Sequence, residues 1–278
     1  MTLLLLLGCF RLAAQTAASP AEIKSPDALI ADIAQHYYFS DLSLKPWHLK
    51  ASYQIYDETG NPAGQGEYEY WWASANVNRS TWARGSIHLS EWNTADGKQF
   101  YAAAGGELHS FEIELEPDLM NPLPNKSDYD PKEITFERDS ATVGNVNIPC
   151  VRVVNFMRPR TVLDTYYFDP KTPVLILRKS FGGVSYTYGN FAQFDGRDLP
   201  RSMTEAVDGR KLVALNVDTI ENLPSGSQAL VPPKDAEAGE PEPMFVTAKA
   251  ASPQRLTGKD PIYPFFRKEC QKIRHSPD

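Results

Sequence analysis

The stretch Trp47-His48-Leu49-Lys50-Ala51-Ser52-Tyr53-Gln54-Ile55-Tyr56 decides the fold. Trp47, Leu49, Ala51, Tyr53 and Ile55 alternate with His48, Lys50, Ser52, Gln54 and Tyr56. Successive side chains of a strand point to opposite faces, so this period of two predicts a strand with one buried face. A buried face needs a cover. Just upstream, Ser25-Pro26-Asp27 offers an N-cap hydroxyl followed by Pro at the first helical position, where its missing N–H costs nothing. Leu29, Ile30, Ile33 and Tyr37 then share one face at spacings of three and four. The spacing predicts a helix ending near Tyr38 to Asp41.

Downstream, Glu58-Thr59-Gly60-Asn61-Pro62 carries turn chemistry, and Tyr68, Tyr70 and Trp72 line one face of a second strand. Arg79 to Ala83 with Ile87 to Trp92 read as a third, and Asp96-Gly97 turns the chain into Gln99 to Ala103. Glu107 to Leu123 fits both periods; the flanking prolines and acids favour a covering helix. Ile134 to Arg138 and Ala141 to Val143 flank a charged turn, and Val146 to Val154 follows Gly144-Asn145. Thr161 to Phe168, Val174 to Phe181, Val184 to Phe191, Arg201 to Val207 and Lys211 to Thr219 complete the series, joined mostly by tight turns. About ten or eleven strands with short connections predict an antiparallel meander in a mainly β chain with few helices.

The apolar periodicity ends near Pro224. Pro232-Pro233 and Glu240-Pro241-Glu242-Pro243 mark 223–258 as an acidic, extended linker. At the other end, Leu3 to Phe10 followed by Ala13-Ala14-Gln15 and Thr16-Ala17-Ala18 reads as an export leader over 1–18. Ordinary cleavage, an uncleaved anchor, and lipidation of Cys9 within Leu6-Leu7-Gly8-Cys9 are the three fates open to it. No other segment approaches the ~18 apolar residues that span a bilayer, so the mature body is read as not membrane-spanning.

The net charge is −7 and no basic stripe is visible, which argues against nucleic acid as a partner. Of the three cysteines, Cys150 reads as a small buried residue, and a Cys150–Cys270 bridge is the alternative in an oxidising compartment. Catalytic motifs are absent: there is no GxSxG, HExxH, P-loop or dinucleotide fingerprint. The five histidines are dispersed, and a metal pair of His48 and His88 competes poorly with two polar-facing side chains. Glu67, Glu69, Glu112, Glu114 and Glu116 read as solvated acids. No catalytic residue, metal ligand or cofactor is therefore assigned, and an enzyme is not expected.

The aromatic residues are the remaining signal. Trp47, Tyr53, Tyr68, Tyr70, Trp82 and Trp92 cluster on the first strands, with Leu49 among them. They form either a packed core beneath a helix or the lining of an apolar pocket. Each buried CH₂ of an acyl chain gains roughly 0.8 kcal/mol, so a curved sheet with an apolar interior suits a lipid without further chemistry.

The succession of amphipathic helix, Trp47 to Tyr53 strand, paired hairpins and Tyr167-Phe168-Asp169-Pro170-Lys171-Thr172-Pro173-Val174-Leu175 resembles the outer-membrane lipoprotein carrier superfamily, LolA- and LolB-like. The resemblance covers about residues 25–222. It implies a strongly curved antiparallel sheet, an incomplete barrel lidded by helices, that binds lipid or acyl chains in the periplasm. Leu49 to Asp57, Tyr70-Trp71-Trp72 and Ser80-Thr81-Trp82 are similar to TonB-family proteins that place such a module before a Pro-rich linker. Pro261, Tyr263 and Pro264 resemble the start of their C-terminal domain, of which 259–278 would be a stub. That implies a cell-envelope protein partner, although the strands that would dock a receptor are missing. The competing reading is a structural or interaction module with a filled core and no ligand.

Overall fold

Strand β1 (Trp47–Tyr56) lies near the middle of a thirteen-stranded sheet in which every pairing is antiparallel. The computed structural model describes residues 25–239 apart from 38, 40–42, 125–128, 158, 173 and 225. The leader with Cys9, the linker from 240 onward, and 259–278 with Pro261, Tyr263, Pro264 and Cys270 lie outside the described residues.

The chain runs α1 (Pro26–Tyr37), β1, β2 (Pro62–Ser74), β3 (Val77–Arg84), β4 (Ile87–Asn93), β5 (Gln99–Ala104), α2 (Ser110–Met120), β6 (Ile134–Val143), β7 (Val146–Asn155), β8 (Thr161–Phe168), β9 (Leu175–Ser180) and β10 (Val184–Gly189). A small separate hairpin, β11 (Ala192–Phe194) with β12 (Arg197–Leu199), precedes β13 (Ser202–Val207) and β14 (Arg210–Asn222). A 3₁₀ turn (Gln228–Leu230) and β15 (Glu237–Ala238) follow. The sheet order is β15-β5-β4-β3-β2-β1-β14-β13-β10-β9-β8-β7-β6. β15 and β6 are its two edges and do not pair, so the sheet is an open one.

The curvature follows from two ion pairs. Glu112 of α2 bonds Arg84 on β3, and Asp118 of the same helix bonds Arg178 on β9. In a flat sheet those strands, six steps apart in the order, would stand about 29 Å from each other. Along the helix the two acids are separated by only about 9 Å. Most of the reach of the side chains is taken up by the roughly 10 Å between packed layers, so it does not close that difference, and the sheet wraps round α2. Register shifts at Lys50/Ala51, Trp72/Ser74, Val153/Val154 and Glu205/Ala206 supply the local bends.

The helix expected over the N-terminal segment is α1, with Ala28 N donating to Ser25 Oγ at 3.2 Å. Its face of Ile30, Ile33 and Tyr37 is buried. Tyr37 Oη accepts the Leu175 N–H at 2.6 Å, which ties α1 to β9. The covering helix read over 107–123 is α2. Three details differ from the sequence reading. The third strand is two, β3 and β4, joined at Gly85, whose φ of +61° turns the chain. The charged turn within 134–143 is continuous strand: Arg152 on β7 lies 2.9 Å from Asp139, holding the acid in register on an edge strand open to solvent. The stretch read as linker from 223 first docks on the sheet, with β15 pairing β5.

Candidate functional site: the concave face beneath α2

Parity from β1 outward sorts the sequence-predicted residues. Trp47 pairs Trp72, Leu49 pairs Tyr70, and Ala51 pairs Tyr68, which pairs Trp82 and then Leu89. Tyr53 stands on the same face, opposite Gly66. A Cβ on Gly66 would come within 2.1 Å of the Tyr53 ring, so the tyrosine lies flat over the glycine. These residues form one aromatic floor on the concave side. Trp47 stacks on Trp72 at 6.0 Å, and Tyr68 contacts Trp82 at 4.1 Å between centroids. Trp47 Nε1 donates to Phe39 O at 3.1 Å.

Trp92 departs from the expectation. It pairs Arg79, which pairs Trp71, which pairs His48, and that row faces the convex side. There His48 stacks on Trp71, and the Arg79 guanidinium sits 4.3 Å from the Trp71 ring and 4.9 Å from the Trp92 ring. Trp92 Nε1 and Arg79 Nη1 both donate to Ala229 O, so the 3₁₀ turn seals this stack. Trp92 therefore does not share the face of the other six candidates. His48 Nε2 lies 2.8 Å from Glu69 Oε2 and His88 is exposed, in a different row. An open polar groove of about 590 Å³, lined by Ser52, Gln54, Glu67, His88 and Asn216, also lies on this convex side.

The floor is covered. Trp47, Leu49 and Tyr68 are 0% exposed and Trp82 1%, while Tyr70 is half-buried. Phe111, Leu115 and Leu119 of α2 belong to the same buried cluster, and α2 lies over β14 at the centre of the sheet. No space is left between floor and helix at these side chains.

What holds α2 there is polar. Glu112 is 0% exposed, and its Oε1 accepts Tyr53 Oη and Arg84 Nε, both at 2.8 Å. Its Oε2 accepts the His109 N–H at 2.7 Å, closing the first turn of the helix. At the other end Asp118 Oδ1 lies 2.7 Å from Arg178 Nη1. Arg178 sits 4.2 Å over the Tyr186 ring, in an inward row that runs Glu205, Tyr186, Arg178, Tyr166 across β13, β10, β9 and β8. Glu205 is 4% exposed; burial, with Glu114 and Asp118 nearby, pushes its carboxyl up to about 8. Burial likewise raises Glu116, to about 7, and Asp118, the latter against the opposing pull of Arg178.

The helix is also bounded by unusual backbone. Gly105 and Gly106 both hold positive φ, and a Cβ at Gly105 would lie 1.9 Å from Ser86 O. Pro122 and Pro124 follow the far end. Glu112, Arg84, Asp118, Arg178 and Glu205 were not singled out in the sequence as functional. The available signal was the pair of acids on the apolar side of α2, which breaks its amphipathic stripe.

No family model matches this chain, and no curated protein does. Among solved structures it is similar to an outer membrane lipoprotein-sorting protein domain from Vibrio parahaemolyticus, at 8% identity and a TM-score of 0.45 over 74% of this chain and 96% of that one. A LolA superfamily protein from Nitrosomonas europaea matches at 8% identity and a TM-score of 0.44, over 70% of this chain and 93% of that one. A DUF1329 family protein from Desulfovibrio piger matches at 11% identity and 0.40, over 73% and 94%.

Proposed function

We propose that this chain is a non-enzymatic, periplasmic binding module that takes an apolar ligand, a lipid or acyl chain, on the concave aromatic floor when α2 lifts away. One observation carries the reading. The helix that covers an aromatic floor is fastened by polar latches at its two ends, Glu112 with Arg84 and Tyr53, and Asp118 with Arg178. Charged latches regain water when they part, whereas the floor does not. An acyl chain of about ten methylenes returns roughly 8 kcal/mol on burial, comparable to the apolar contact that Phe111, Leu115 and Leu119 would give up. The positive-φ glycines before α2 and the prolines after it bound a segment able to move as a unit.

The second reading, a structural module with a filled core, is favoured by the 0–1% exposure of Trp47, Leu49, Tyr68 and Trp82. Titration of the intact, detergent-free protein with a fluorescent fatty acid separates the two. The binding reading expects saturable uptake, competition by unlabelled fatty acid, and lipid in a solvent extract of the purified protein. No uptake and a lipid-free extract favour the filled core. A transducing role through 259–278 stands outside this proposal and rests on Pro261, Tyr263 and Pro264 alone. It expects the full chain to capture an outer-membrane receptor in a pull-down, and fails without it.

A further inference from the structure

We infer that the ligand is an anionic amphiphile whose head group replaces the Asp118 carboxylate on Arg178; this rests on the reading of the concave face as a ligand floor. In the closed protein, α2 itself resembles such a ligand. Phe111, Leu115 and Leu119 lie where an acyl tail would, and Asp118 presents a carboxylate to a buried guanidinium. The tail and head positions, Phe111 and Asp118, are about 10 Å apart along the helix. When α2 leaves, its acids leave with it, Glu114 and Asp118 together, and Arg178 stays on the sheet.

The surroundings of Arg178 carry the inference further. Its side chain is only 16% exposed, and its close ion pair is made with the lid rather than the sheet; Asp164 stands further off, at 3.9 Å from Nε. Around it three buried polar atoms lack hydrogen-bond partners among the described residues: Arg178 Nε, Tyr188 Oη and Glu205 Oε2. Tyr188 is two residues along β10 from Tyr186, on the same face, and Tyr186 lies between Glu205 and Arg178. Native interiors leave few such atoms. Three of the six such atoms among the described residues gather here, beside the Asp118–Arg178 latch, which an incoming anion can imitate. A planar guanidinium pairs a carboxylate or a phosphate through two parallel N–H donors. The shared chemistry is therefore a singly or doubly charged oxyanion head on an alkyl tail.

The test is displacement of a neutral fluorescent alkyl probe from the full chain by dodecanol, dodecanoate and dodecyl phosphate. Both anions are expected to outcompete dodecanol by about tenfold or more. Which anion is the stronger distinguishes a fatty-acid carboxylate from a phospholipid-type head. Arg178→Met is expected to bring all three within about twofold of each other, at whatever common affinity the loss of the Asp118 latch sets. Equal displacement by all three on the unaltered protein overturns the head-group inference and leaves the binding reading standing. Failure of the probe and all three compounds to bind overturns both. The head-group preference of the unaltered protein is decisive by itself, so the inference does not depend on the folding of the variant.

Discussion

Glu112→Gln is the sharpest probe of whether α2 is a separable lid. The native carboxylate is fully buried and accepts Tyr53 Oη, Arg84 Nε and the His109 N–H. Glutamine keeps one oxygen for Tyr53 and Arg84 but turns an amide NH₂ toward the His109 N–H. One charge-assisted bond is lost and the Tyr53 bond becomes neutral, while Arg84 brings its own charge to the bond with the amide oxygen. Hydrogen bonds to charged groups contribute about 1.5–3 kcal/mol and neutral ones about 0.5–1.5, so the change costs roughly 2–4 kcal/mol. If α2 opens independently, its amides exchange roughly 30- to 700-fold faster in the variant, at a factor of ten per 1.4 kcal/mol. Hydrogen exchange followed by mass spectrometry resolves peptides of α2 from those of β1 and β14. The reasoning expects acceleration in 110–120 and unchanged protection in the sheet. Equal acceleration in both would show that helix and sheet open as one unit, and the lid argument would fall.

Three other outcomes are expected. Glu205 has a folded-state carboxyl raised to about 8 from an ordinary 4.5, with Glu114, Asp118, Arg178 and Tyr186 facing it. Between those values the folded chain holds more protons than the unfolded one, so this group lowers stability as pH rises, by up to about 1.4 kcal/mol per unit. Chemical denaturation from pH 5 to 8 should show that fall, with Glu116 adding to it below about 7, and Glu205→Gln should make it shallower; an unchanged slope refutes the assignment. Arg79→Met removes the cation–π contacts to Trp71 and Trp92 and the bond to Ala229 O, and is expected to cost about 1–2 kcal/mol and to expose 227–239 to protease. Gly66→Ala drives a methyl into the Tyr53 ring and should cost about 1–3 kcal/mol in thermal stability; a neutral effect would mean that Tyr53 is free to move off its glycine.

The strands were legible because one face of each is buried and parity is strict: Trp47, Leu49, Tyr53, Tyr68, Tyr70 and Trp82 fall on one floor as their alternation requires. Trp92 was grouped with them by nearness in sequence. Pairing parity through the β3–β4 turn, Arg79 opposite Trp92 and Trp71 opposite Arg79, would have put it on the other face. The latches were not legible. Arg178 reads as an ordinary strand cation until α2 brings Asp118 to it, 60 residues away in sequence, and no local period encodes that meeting. Glu205 reads as a polar position on β13 although its row faces inward. Segment 223–239 has the composition of a linker, and what anchors it is the pairing of β15 with β5 and the bonds to Ala229 O, whose role depends on the convex-face stack already being built.

The central claim is that an alkyl chain replaces α2 on the concave floor. Contact quenching by terminally brominated dodecanoate reads this directly in a variant carrying Trp71→Phe and Trp92→Phe, which leaves Trp47, Trp72 and Trp82 as reporters on the concave face. Saturable quenching of those three, reversed by unbrominated dodecanoate, is the predicted result. Undiminished emission at saturating ligand, or quenching that appears only when Trp71 and Trp92 are restored, would contradict it.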